Sequence, residues 1–157
     1  MHQIPVAVVR AVVPDREGRI LLLRRRAGSA GAGQWCLPGG KVDYGVTVVQ
    51  ALRNEIAEET GLRCRGAEFL FYQDSLPLTP GGMHCINFYF RCDATGEVTL
   101  NNESIDYAWA APDQLSEFDI AFRNDEGIRR YLAGPAAVYL GSRQCPREND
   151  SRNTGPQ

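Results

Sequence analysis

The sequence predicts an α+β fold: a mixed β-sheet with two main helices, layered as an α/β/α sandwich. Three observations lead there. Two β-branched or apolar runs, "IPVAVVRAVV" (4–13) and "ILLLRRR" (20–26), flank the turn-forming "PDREGR". Two stretches of helical spacing, 47–60 and 124–134, have Gly61 and Gly134 as their stops. Between the helices, apolar or alternating segments recur at strand length. A chain of 157 residues suits one domain with a single buried core, set here at 1–140 and followed by a polar tail, 141–157, without apolar period.

Taken in order, the first two runs predict a β-hairpin. "AGSAGAGQ" (27–34) is a loop of small residues, and "WCLPGGKV" leads the chain tightly into a helix. Thr47 is the expected N-cap of that helix. "CRGAEFLFYQDSL" and "HCINFYFRCDA" read as strands around the loop "PLTPGG". "EVTL" and "SIDYAWAA" read as shorter strands, "PDQLSEF" as one helical turn, and "NDEGIRRYLAG" as the second helix. Trp35, Phe71, Tyr72, Phe88, Tyr89 and Phe90 are assigned to the core, because alternation buries about half of a strand's side chains.

Composition removes several classes of function. A net charge of −2 offers no long-range attraction for nucleic acid or an anionic membrane. No apolar run is long enough to span a bilayer, and no basic-then-apolar leader is present. Five scattered cysteines, never spaced as CxxC, favour free thiols in a reducing cytoplasm. Two histidines, neither beside a cysteine cluster, argue against zinc. A metal here would be a hard cation held by oxygen, Mg²⁺ or Mn²⁺. The oligomeric state is open, a homodimer included.

"GGKVDYGVTVVQALRNEIAEETGL" (39–62) carries the chemistry. Each helical residue advances about 100°, so residues seven apart lie only about 20° out of register. Glu55 therefore shares the side of Val48, and Glu59 that of Leu52, with Glu58 on the flank. A solvated acidic face would oppose the apolar stripe. Crowded carboxylates on that stripe repel one another unless a cation joins them.

The stretch resembles the Nudix box of the Nudix hydrolase family, entered through "LPGG". Gly40 opens the box, and Glu55, Ile56, Glu58, Glu59, Gly61 and Leu62 match its later positions. The strand order is similar to the family's over roughly 4–133. Two positions depart from the pattern: Val46 stands where the family has glutamate, and Asn54 where it has arginine. Asn54 has no guanidinium for a bidentate ion pair, and Arg53 points about 100° away from it. Asp43, in the loop, is a nearby carboxylate offered in place of the one absent at Val46.

The resemblance implies hydrolysis of a nucleoside diphosphate linked to another group X by water attack on phosphorus, with Mg²⁺ or Mn²⁺. It makes Glu55, Glu58 and Glu59 catalytic, with Glu55 as general base. The implied metal ligands are Gly39 (through its carbonyl), Glu55, Glu58, Glu59 and a later carboxylate, for which "NNESIDYAW" offers Glu103 and Asp106; Glu103 is chosen for its place at the loop end. A short single domain favours a nucleoside triphosphate. The other reading is a nucleotide-binding or regulatory module with weakened catalysis.

Substrate contacts are expected from Arg25 and Arg26, at the end of the "RRR" strand, or else these are solvated edge charges. Asn124 is read both as the N-cap of the last helix and as an amide that reads the base.

Overall fold

The computed structural model describes residues 3–134. The tail at 141–157 and the domain boundary before it lie outside the described residues.

Among the described residues, seven strands fall into two sheets. β1 (Val6–Val12), β4 (Gly39–Lys41), β5 (Arg63–Ser75) and β6 (Cys85–Thr95) form one sheet in the order β4-β1-β6-β5. β2 (Ile20–Arg25), β3 (Trp35–Cys36) and β7 (Ser104–Ala110) form the other, in the order β3-β2-β7. The first sheet is mixed, since β1 runs parallel to β6 and antiparallel to β4.

The expected β1–β2 hairpin does not form as a ladder. The two strands belong to different sheets and meet only where they diverge, at the Pro14–Ile20 bridge and the Leu21 N–H to Val13 carbonyl bond. Both edges of β1 are taken by β4 and β6, and Pro14 has no N–H to extend a pairing. The short strands β3 and β4 were not legible in "WCLPGGKV", because proline and paired glycine read as loop.

"EVTL" forms no strand. After Gly96 (φ 117°) the chain leaves β6, Thr99 donates its N–H to the Thr60 carbonyl at 2.8 Å, and Val98 and Leu100 pack on the core. Satisfying the end of the preceding helix takes the place of a ladder.

Two cores flank the sheets. Val9, Ala11, Leu21 and Leu23 meet Ala51, Leu52 and Ile56 of α1 (Val48–Thr60). Val12, Ile20 and Leu22 meet Tyr89 and Ile128 of α2 (Asn124–Ala133). Each fully buried Leu or Ile contributes about 1.5–3 kcal/mol. α2 can approach because Gly127 lacks a side chain: a Cβ there would lie 2.2 Å from the Tyr89 ring. Between the sheets and α2, the 3-10 turn Pro112–Glu117 stands where one helical turn was expected.

Candidate active site

α1 begins and ends at defined residues, which sets the angular position of its glutamates. The Thr47 Oγ1 accepts from the Gln50 N–H at 3.2 Å, and the Gln50 Oε1 accepts from the Thr47 N–H at 3.0 Å. Such a cap is worth about 1 kcal/mol. Gly61 takes a left-handed φ of 68° and donates to the Ala57 carbonyl. A side chain there would press on Thr99 at 3.0 Å. With the helix so fixed, Leu52 and Ile56 are buried, Glu59 is buried beside them, Glu55 is half-buried and Glu58 is exposed.

The two glycines of β4 receive these carboxylates. The Gly39 N–H donates to Glu59 Oε2 at 3.0 Å. A Cβ on Gly40 would lie 2.6 Å from the Glu55 carboxyl carbon, so only glycine lets that carboxylate rest on the strand. Gly39 is more constrained, since a Cβ there would meet the Val9 carbonyl oxygen at 2.0 Å.

The carboxylates act on one another electrostatically. Burial pushes the Glu59 carboxyl up to about 8, and the charges of Glu55 and Glu103 add to the rise; the Gly39 N–H and Arg10 oppose it. Glu55 is also raised, first by burial and then by Glu58, Glu103 and Asp43. Glu59 thus lies on Gly39 and Glu55 on Gly40, with Glu58, Glu103 and Asp43 within electrostatic reach of Glu55.

Among the described residues, no three His, Cys, Asp or Glu side chains are grouped so that they could hold a metal ion. The donor set is all oxygen, with Glu59 and Glu55 raised first by burial and then by neighbouring carboxylates, and such a set has the chemistry of a hard divalent cation site.

The arginines lie around the loop side of this group. Arg26 donates its backbone N–H to the Glu103 carbonyl at 3.1 Å and its Nη1 to the Asn102 carbonyl at 3.0 Å, so it ties the strand β2 to the loop that bears Glu103. Arg25 donates to the Ala30 carbonyl and lies over the Phe122 ring, 5.1 Å from its centroid.

Asn124 is not the N-cap. Arg123 occupies that position, and Asn124 is the first helical residue. Its side chain is fully buried: Oδ1 accepts from the Leu37 N–H at 2.9 Å, and Nδ2 donates to the Tyr89 hydroxyl at 3.2 Å. Its amide thus locks α2 to the segment entering β4.

The two departures from the box have distinct surroundings. Val46 packs against the α1 core, whereas Asn54 is exposed. Arg53 lines an open cleft of about 630 Å³ with Arg63 and Arg65. Two residues along a helix is about 200°, so this cleft faces away from Glu55. It contains none of the carboxylates, and the chemistry belongs to the glutamate group instead.

Arg10 was missed. It acts on both Glu55 and Glu59, and its only signal was a lone charge in the β-branched run of β1.

Comparisons with known proteins agree with this geometry. The model of the NUDIX domain matches residues 4–131. The chain is 36% identical to the nucleoside triphosphatase NudI of Escherichia coli over 106 residues, 62% of this chain and 75% of that protein. The MutT protein from Methanosarcina mazei Go1 superposes with a TM-score of 0.73 at 26% identity, covering 85% of this chain and 97% of the other. The MutT NUDIX hydrolase from Burkholderia pseudomallei superposes at 0.63 with 32% identity, covering 70% of this chain and 85% of the other. A box with paired glycines under Glu59 and Glu55, inside a domain matched over residues 4–131, has one source: the chain belongs to the Nudix family, hydrolases of phosphoric anhydride bonds.

Proposed function

We propose that the chain is a metal-dependent pyrophosphohydrolase that cleaves a nucleoside triphosphate, or another nucleoside diphosphate linked to X, by water attack on phosphorus. One observation carries this reading: Glu55 and Glu59 sit against Gly39 and Gly40 with no cation in ion-pair contact among the described residues, and both are raised. The relative NudI of Escherichia coli is a nucleoside triphosphatase by name, which supports the substrate class. The free thiols at Cys36, Cys64, Cys85 and Cys92 support a cytoplasmic setting.

Glu59, Glu55, Glu58, Glu103 and the Gly39 carbonyl would hold Mg²⁺ or Mn²⁺. A bound divalent cation supplies charge neutralisation at the phosphate oxygens and a more acidic water. The protein's own groups divide the remaining work. The Gly39 N–H keeps the Glu59 carboxylate oriented. Glu55, unbonded to backbone and with its carboxyl raised by burial and by its neighbouring carboxylates, suits the removal of a proton from water. Arg25 and Arg26, beside the Glu103 loop, are the substrate-facing cations of this reading.

The departure at Asn54, which leaves the box without its guanidinium, favours the second reading of a nucleotide-binding module. A panel of nucleotides assayed with Mg²⁺ or Mn²⁺, for released phosphate and pyrophosphate, separates the two. Turnover abolished by chelator and restored by either ion is expected. Tight nucleotide binding with background turnover would establish the module, and undiminished turnover in excess chelator would remove the metal from the reaction.

A further inference from the structure

On the flank of α1 turned away from Glu55, the helix and β5 meet across a very short link. Gly61 and Leu62 alone separate the two elements. The left-handed turn at Gly61 brings the start of the strand back beside the helix. Between them lies the cleft of about 630 Å³, lined by Arg53 of α1, by Leu62, by Arg63, Cys64 and Arg65 of β5, and by Thr95, the ladder partner of Arg63. Small-molecule sites occupy roughly 300–1,000 Å³, so the cleft has room for a small ligand.

The cleft gathers positive charge that the protein leaves unanswered. Arg53, Arg63 and Arg65 are all exposed. Among the described residues none of the three forms an ion pair, and no Asp or Glu lines the cleft. Elsewhere the fold supplies such groups with acceptors: Arg19 donates to Asp15, Arg26 to the Asn102 carbonyl and Arg123 to Glu126. The chain as a whole carries a charge of −2, so the accumulation is local.

Three guanidiniums on one cleft repel one another until an anion joins them. Each presents a planar fork of N–H donors that matches two oxygens of one phosphate or carboxylate group. Forks that arrive from a helix and from two positions on a strand call for a ligand with more than one such group. Thr95 adds a hydroxyl, while Leu62 and Cys64, which belong to the α1 core, add an apolar wall. Attraction between charges is stronger against such a wall than in open water. A nucleic-acid backbone, by contrast, is held by many phosphate contacts along a basic track, which a single cleft on a chain of negative net charge does not supply.

We propose that this cleft is a second binding site, separate from the glutamate group, and that it takes a small multivalent oxyanion, a molecule with two or more phosphate or carboxylate groups, held by Arg53, Arg63 and Arg65. The site is independent of the hydrolase reading, because it shares no residue with the carboxylates or with Arg25 and Arg26. An occupant would tie the helix that carries Glu55 and Glu59 to β5, from the side opposite the chemistry.

The test is calorimetric titration of the full chain, stripped of divalent ions, with tripolyphosphate and with citrate. The same titrations are made on Arg53→Gln, Arg63→Gln, Arg65→Gln and the triple variant, with Arg16→Gln, on the exposed turn between β1 and β2, as a control for overall charge. Wild type is expected to bind at least one of the two anions with one-to-one stoichiometry. Preference for tripolyphosphate assigns the site to phosphates, and preference for citrate assigns it to carboxylates. Each single variant should weaken Kd about tenfold, as expected for the loss of a charged hydrogen-bonding partner. The triple variant should not bind, and Arg16→Gln should bind as wild type does. The anion should also raise Tm in wild type and not in the triple variant. Should the triple variant fail to fold, the single variants decide. No binding of either anion overturns the proposal, as does binding that survives in the triple variant or weakens equally in Arg16→Gln. A single-stranded oligonucleotide that binds more tightly than tripolyphosphate through the same arginines overturns the assignment to a small ligand. No readout here depends on turnover, so failure of the hydrolase reading leaves this test intact.

Discussion

Replacing Glu59 by glutamine, in protein stripped of divalent ions, removes a carboxyl that is only 7% exposed and raised to about 8. In the unfolded chain that group titrates near 4.5. Between these values the folded state holds a proton that the unfolded state has released, so stability falls as pH rises. The contribution is intact below the unfolded pKa, declines by about 1.4 kcal/mol per pH unit, and is lost above the folded one. From pH 5 to 8 the metal-free wild type should lose about 4 kcal/mol, or roughly 3–5 °C in Tm per pH unit for a domain of this size. Glutamine keeps an oxygen for the Gly39 N–H and cannot ionise, so the variant should retain only the smaller slope due to Glu55, which is raised as well. Other shifted groups act elsewhere: Cys36, Tyr89 and Cys92 are raised above already alkaline values, and Asp15 is lowered below 3.8. Calorimetric melts in chelator at half-unit intervals of pH measure the slope, and Mg²⁺ added at pH 8 should restore Tm in wild type much more than in Glu59→Gln. A flat or rising wild-type Tm over this window, or an equal slope in both proteins, would refute the reasoning.

Gly40→Ala places a methyl group 2.6 Å from the Glu55 carboxyl carbon, the far end of a flexible side chain. Turnover should fall about a hundredfold, the scale on which misplaced catalytic groups fail, with Tm changed by only a few degrees; a variant with full activity would show that Glu55 does not work from its present position. Asn54→Arg puts a guanidinium next to Glu55 in sequence and four residues before Glu58, at an exposed position that can accept it. Steady-state turnover should rise about tenfold, corresponding to 1.4 kcal/mol of transition-state stabilisation. Unchanged turnover in a folded variant would mean that the site functions without that cation.

The helix of the box was legible in sequence because its determinants are local: Thr47 and Gln50 cap it, Gly61 stops it, and a period of 3.6 residues places Glu55 and Glu59 on the apolar side. For the same reason β5, β6, β7 and α2 lay where apolar patterning placed them. Pairing is not local. The β1–β2 hairpin failed because hydrogen-bonding partners are chosen among all strands at once, and β4 and β6 took both edges of β1. Asn124 shows the same limit: a polar residue opening a helix reads as a cap, yet its amide is buried between Leu37 and Tyr89, residues far away in the chain. Arg10 is the clearest case. Sequence shows only a charge interrupting a β-branched strand. Its place over Phe122, its unpartnered Nε and its electrostatic reach to Glu55 and Glu59 arise where β1, β4, β6 and the entry to α2 converge, and only the tertiary structure decides that.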